Sequence, residues 1–271
     1  LQHLTSIMHR SQVFFARSMD LLGDRPEYRQ PSPTNPGKTI WENIREGIFE
    51  DYLFAEFNVR HGKTRTLHNH EADTVRSVIL TGLLFGNADY VRWGTTAMRP
   101  FLDNTIDRDG LYYETSLSYT DFTRSVFVDM AELLVRYDPA KYPPEAQMPS
   151  RQELPCDGNF FNHPKLALLT LDQPTRVSIL GRKPTFGNNA NFDLGRWFAD
   201  GRPFVRTEYQ EVQRFALYAT DPDIRAKARR NAATMAPSAA ASPPYPGEKS
   251  FPLWWALFRA PRVEVTPRSR P

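Results

Sequence analysis

Residues 71–86 read "EADTVRSVILTGLLFG", and their spacing decides the fold class. Val75, Val78, Ile79, Gly82 and Leu83 recur every three to four residues, which a helical period gathers into one stripe. Gly86 follows as a natural C-terminal stop. Working outward, Ile40, Trp41, Ile44, Ile48, Tyr52 and Ala55 predict an amphipathic helix that ends before His61 and Gly62. Residues 88–102 predict another, and Phe122, Val126, Met130, Leu133, Leu134 and Tyr137 a third over 120–137. Nothing alternates like an extended sheet; one short strand, "RVSIL" at 176–180, is the exception. The expected fold class is all-α, built of antiparallel helical hairpins.

Towards the ends the pattern loosens. Leu4, Ile7, Met8, Val13, Phe14, Leu21 and Leu22 are spaced as in a helix that gives way to a proline-rich loop at 24–38. Beyond Asp138 the chain turns proline-rich, then resumes with "HPKLALLTL" and helical stretches near 208–219 and 222–235. "PSAAASPPYPG" at 237–247 has linker composition, and "FPLWWALF" is one more apolar element. The expected organisation is a helical domain over 1–236, a linker or loop over 237–250, and a last apolar helix opening a truncated region over 251–271. The chain begins at Leu1 and ends in "TPRSRP", which reads as an internal fragment, so the lack of a signal peptide decides nothing.

Composition narrows the function classes. The 271 residues carry 34 Lys plus Arg against 31 Asp plus Glu, a net charge of +3. That is too small to argue for nucleic acid, and it leans towards an acidic ligand. No window approaches the roughly 18 to 20 apolar residues of a membrane span. The one cysteine, Cys156, rules out an intramolecular disulfide and a cysteine zinc cluster, and reads as a buried, inert thiol.

Three polar groups could carry chemistry: "HNH" at 68–70, "DGLYYETSLSY" at 109–119 and "GNNANFDLGRW" at 187–197. His68 and His70 stand two apart on a loop, unlike the i, i+4 pair of a helical zinc site, so no metal is expected. Either histidine also suits a helix cap or a solvent-facing position. Tyr112 and Tyr113 are adjacent aromatics at a loop-to-helix junction, where one ring is expected to bury and the other to line a groove. Tyr119 stands just before the next helix, where it can project towards a cleft. Phosphate-binding and serine-nucleophile motifs are absent.

"LHNH" opening one helix, followed about forty residues later by "DGxxxExSxxY" opening another, resembles the heparinase II/III-like polysaccharide lyases. Alginate lyases of related families share the scheme. The resemblance covers roughly residues 40–137. It implies an incomplete α/α toroid in which Asn69 and His70 face Tyr119 across a groove, with Glu114 behind them. It also implies a C-terminal β-sandwich domain, absent from this chain, that would supply a further histidine. A periplasmic or secreted location, an acidic polysaccharide or oligosaccharide as partner, and no cofactor are further expectations of the resemblance. Oligomeric state stays open.

These residue types suit β-elimination from a 4-linked uronic acid. The C5 proton is acidic enough to leave only when its neighbouring carboxylate is neutralised, which Asn69, beside His70, can do. Tyrosine, with an ordinary pKa near 10, can act as base once ionised and then protonate the leaving C4 oxygen as a phenol. Glu114 reads as an orienter of Asn69 or His70, or as a contact to sugar hydroxyls. Candidates to bind substrate or to support the residues that do are His68, Tyr113, Arg65, Arg124, Asn189 and Arg196, with Arg202, Asn188 and Asn191 beside them; each arginine also suits a plain surface position, and the asparagines ordinary turns. Trp197, Trp254 and Trp255 could stack on sugar or fill the core. Two other readings stand: a helical glycoside hydrolase using Glu114 with Asp109 or Asp121, and a non-catalytic carbohydrate-binding toroid fragment.

Overall fold

The computed structural model describes residues 15–23, 25–50, 69–114, 117–172 and 206–241. Among these there is no strand, only isolated bridges pairing Pro31 with Thr39 and Ile106 with Tyr112, and the protein is all-α there. The expected strand at 176–180 and the apolar element near 251–258 lie outside the described residues. The chain divides into two compact units, Leu1–Phe101 with Arg136–Gly158, and Leu102–Val135 with Asn159–Pro271.

In the first unit, helix α1 spans 15–22 and buries Ala16 and Met19. Leu21 and Leu22, expected to pack, are exposed. At 3.6 residues per turn Leu21 lies about 140° around the helix from Ala16, so the two cannot share a face. Helix α2, Ile40–Ile44, starts in a capping box: Thr39 Oγ1 accepts the Glu42 N–H, and Glu42 Oε2 accepts the Thr39 N–H at 2.8 Å. The same Oε2 also accepts the Thr39 hydroxyl at 2.9 Å, and these two bonds to the carboxylate favour its ionised form and lower the Glu42 pKa. The helix then widens into a π turn over Arg45–Glu50. A π turn inserts one residue, which advances the inner stripe by one position. Phe49 therefore takes the core site expected of Ile48: it is fully buried, edge-on to Phe85 at 5.2 Å, and Ile48 is exposed.

Helices α3, Asn69–Phe85, and α4, Ala88–Thr105, form the expected antiparallel hairpin. Its turn is Gly86, at φ +69°, then Asn87, whose Oδ1 accepts the Tyr90 N–H at 3.1 Å as an N-cap. Val75, Val78 and Ile79 are buried as the stripe requires. The two helices meet backbone to side chain at Gly94, where a Cβ would stand 2.4 Å from Ile79 Cγ1. The segment Arg136–Gly158 belongs to the same unit. Tyr142 donates its hydroxyl to the Leu83 carbonyl at 2.7 Å, and Tyr137 donates to the Pro149 carbonyl at 2.6 Å. Burial above all pushes both phenols up to about 12. Cys156 is half-buried rather than buried and sits in left-handed backbone at φ +57°.

The second unit holds α5, Leu117–Val135, a short helix α6, Pro164–Ala167, that continues as a π turn over Leu168–Asp172, then α7, Arg206–Tyr218, and α8, Pro222–Ala241. On α5, Val126, Met130 and Leu134 are buried as expected, and Phe127, Val128 and Ala131 join them. Full burial of each large apolar side chain contributes about 1.5–3 kcal/mol. Asn162 fastens the α7–α8 turn, its Oδ1 accepting the N–H groups of Thr220 at 2.8 Å and Asp221 at 3.0 Å. Helix α8 runs through Ala241 and so takes in the first residues of the stretch read as a linker. Alanine is the strongest helix former, and Ala239, Ala240 and Ala241 carry the helix past Pro237.

Candidate functional site

The tyrosine-rich segment begins as a tight loop organised by one carboxylate. Asp107 Oδ1 accepts the N–H groups of Asp109 and Leu111, each at 2.8 Å, and the Asp107 N–H donates to the Leu111 carbonyl at 3.0 Å. Aspartate favours this arrangement because its short side chain reaches backbone donors two and four residues on. Gly110 supplies the φ of +80° that the loop needs.

Past the turn the backbone extends, with Tyr112 bridged to Ile106 and the Tyr113 N–H donating to the Thr105 carbonyl at 2.9 Å. The two rings meet edge to face with centroids 4.8 Å apart, Tyr112 0% exposed and Tyr113 49% exposed, so one ring of the pair is buried as expected. The Tyr112 hydroxyl donates to Glu114 Oε1 at 3.3 Å. Burial first, then the Glu114 charge, hold this phenol far above its ordinary range, so Tyr112 stays protonated.

Tyr119 is half-buried and lies inside the first turn of α5, not ahead of the helix, because α5 begins at Leu117. Arg124, one turn further on, is 2% exposed. Its Nε donates to Glu211 Oε2 at 2.5 Å, its Nη1 to Asp121 Oδ1 at 2.7 Å, and its Nη2 lies 3.5 Å from Glu208 Oε1. These carboxylates outweigh the cost of burial and raise the guanidinium pKa further, so it is charged at every accessible pH. Arg124, expected to face an acidic sugar, instead ties α5 to α7. Next to it Arg214 makes the same kind of contact with Asp129 at 3.3 Å and Glu132 at 3.1 Å.

Asn69 opens α3 and is 2% exposed, and His70 follows it in the same first turn. The His70 side chain lies outside what is described, as do His68, Arg65, Asn189 and Arg196 entirely, together with Arg202, Asn188, Asn191 and the tryptophans 197, 254 and 255. Asn69 and His70 belong to the first unit; Tyr113, Glu114, Tyr119 and Arg124 belong to the second. Among the described residues no group of three or more His, Cys, Asp or Glu side chains is placed to hold a metal ion.

Residues 41–147 match the family model described as Alginate lyase. That interval is less than half of the chain and contains Asn69, His70, Glu114 and Tyr119. The match supports polysaccharide lyase activity; it is to the alginate lyases, which share the motif scheme, and it does not support the heparinase II/III-like family that the motifs also resemble. No curated protein and no solved structure matches the chain. Among the described residues no helix is long and apolar enough to cross a membrane.

Two contacts of the second unit escaped the sequence reading. Lys165 Nζ donates to the main-chain carbonyls of Ile106 at 2.7 Å and Asp107 at 3.1 Å, at the entrance of the tyrosine loop. His163 Nε2 stands 3.3 Å from Asp103 Oδ1, its ring stacked on Phe160. Both pairs span about sixty residues of sequence, so no local spacing announces them.

Proposed function

We propose that the protein is a lyase that cleaves a uronic-acid polysaccharide, of alginate type, by β-elimination. The observation that carries this reading is the family match over 41–147, because it spans both helix openings that hold the motif residues. In the reaction Asn69, with His70 beside it, neutralises the uronate carboxylate, which lowers the barrier to removing the C5 proton. Ionised Tyr119 takes that proton. The electron pair of the C5–H bond forms the C4–C5 double bond, the C4–O bond breaks, and the Tyr119 phenol returns the proton to the departing oxygen. No water is consumed. Tyr113 offers an exposed ring for stacking on a sugar face, and Glu114 contacts or orients the polar partners of the same sugar.

Asn69 is nearly covered, so the substrate must displace whatever covers it before the amide can reach a carboxylate. Around these residues the reading expects an α/α toroid of helical hairpins in a protein of the periplasm or the extracellular space. The hydrolase alternative is weaker: the Asp121 carboxylate is held by Arg124 at 2.7 Å, and with Asp109 in its place hydrolysis still gives no role to Asn69, His70 and Tyr119 together. Incubation with alginate separates the readings: elimination yields the ultraviolet absorbance of a conjugated unsaturated uronate, and hydrolysis yields reducing ends without it. Tyr119→Phe should lower kcat by at least about 10² to 10⁴ with polymer binding retained, the usual worth of an acid–base group. A Tyr119→Phe variant with near-normal kcat removes Tyr119 from the chemistry.

A further inference from the structure

The tyrosine loop is gripped from outside itself at two points by one short segment. Lys165, in α6, donates to two consecutive carbonyls, Ile106 and Asp107, where the chain leaves α4. Further along, Gly110 rests on the π turn that continues α6: a Cβ there would stand 2.8 Å from the Leu168 carbonyl oxygen. Between these points Asp107 folds the loop on itself, and beyond them the backbone delivers Tyr113 outward and Glu114 next to it. A lysine ammonium has three donors and no acceptor, so two main-chain carbonyls absorb most of its bonding capacity and leave it a structural anchor.

We propose that Lys165 and the Gly110–Leu168 contact form a clamp that sets the position of Tyr113 and Glu114 for an acidic polysaccharide, with Lys165 as a positioning residue. This rests on the proposed lyase reading for the identity of the ligand. Its physical basis is independent of it: the loop's exposed side chains are only as well placed as the two carbonyls that begin it, and preorganisation lowers the cost of binding. Removing the ammonium frees the loop without touching any group that meets the sugar. The consequence falls on substrate affinity more than on the chemical step.

The test compares wild type, Lys165→Met, Lys165→Arg and Gly110→Ala as the whole chain. Amide exchange is followed over residues 106–114, steady-state kinetics on alginate, and calorimetric Kd for alginate oligosaccharides. Lys165→Met should speed exchange at Leu111 and Tyr113 by about tenfold or more with little change in Tm, as a local opening does. It should raise KM about tenfold while kcat changes less than about threefold, the pattern of lost binding rather than lost transition-state contact. Lys165→Arg, which keeps a cation in reach of the carbonyls, should restore much of both, and Gly110→Ala should move both in the same direction as Lys165→Met. Wild-type exchange in Lys165→Met, or faster exchange with KM and Kd unchanged, overturns the clamp. If wild type binds the oligosaccharides and forms no unsaturated product, the lyase reading fails, and the Kd ratios judge the clamp in place of KM. If wild type neither binds nor cleaves alginate, the positioning role falls with the polysaccharide reading, whatever the loop exchange shows.

Discussion

Replacing Arg124 with methionine asks whether this cation serves the fold or a ligand. The substitution keeps an unbranched apolar stem and removes the guanidinium from Glu211 at 2.5 Å, Asp121 at 2.7 Å and Glu208 at 3.5 Å. The three carboxylates do not count equally. Asp121 has a side chain 36% exposed, so water takes over much of its solvation, and its share is that of a surface pair, up to about 1 kcal/mol. Glu208 and Glu211 are nearly buried. Glu211 retains a hydrogen bond from Ser125 Oγ at 2.6 Å, which softens its loss. Breaking a buried pair by deleting one partner costs about 3–5 kcal/mol, mostly the penalty of the charge left behind. Against a total stability of about 5–15 kcal/mol, that is a large fraction.

Urea denaturation followed by circular dichroism should therefore show a midpoint lowered by the equivalent of about 3–5 kcal/mol for Arg124→Met. The double variant Arg124→Met/Glu211→Gln should be less destabilised than the sum of its parts, because the stranded charge is gone. A loss below about 1 kcal/mol, together with weakened alginate binding, would refute this reasoning and return Arg124 to the ligand side.

Alkaline titration probes the first unit. Tyr137 and Tyr142 are pushed up to about 12 by burial and donate to main-chain carbonyls, so the folded protein holds their protons where the unfolded chain, near 10, has released them. Stability from these two groups is fully present below about pH 10 and falls as pH rises towards 12; Tyr142→Phe should flatten that fall, and an unchanged alkaline profile would count against it. Gly94→Ala sets helix propensity, a gain of about 1 kcal/mol, against a Cβ 2.4 Å from a fully buried Ile79 carbon, a loss of about 1–3 kcal/mol. The expected result is a lowered Tm, and a raised one would show that the α3–α4 hairpin is looser than described.

What the sequence disclosed, and what it hid, follows from the range over which each signal acts. The α3–α4 hairpin was legible because its causes are local: an apolar period, then a glycine in left-handed backbone and an asparagine cap within two residues. That one ring of the Tyr112–Tyr113 pair would bury was legible from adjacent aromatics at a loop-to-helix junction, but which of the two would do so was not. Phe49 was missed because a π turn has no residue signature of its own, and a single inserted residue moves the whole inner stripe. Arg124 was misread for a different cause. Its neighbours in sequence look like a solvated helix entrance, and the carboxylates that claim it, Glu208 and Glu211, arrive 84 and 87 residues later. An arginine beside a candidate catalytic tyrosine therefore carries no inference about ligands until its distant partners are known. The same holds for Lys165, whose two carbonyls lie about sixty residues upstream. The candidate site follows this division. Asn69 and Tyr119 are nominated by a family motif, and the structure places each in the first turn of a helix, an opening that local sequence marks. The groups that act on the second unit's part of the motif, a lysine on the loop entrance and the carboxylates that hold Arg124, come from later in that unit's sequence, and only the folded chain reveals them.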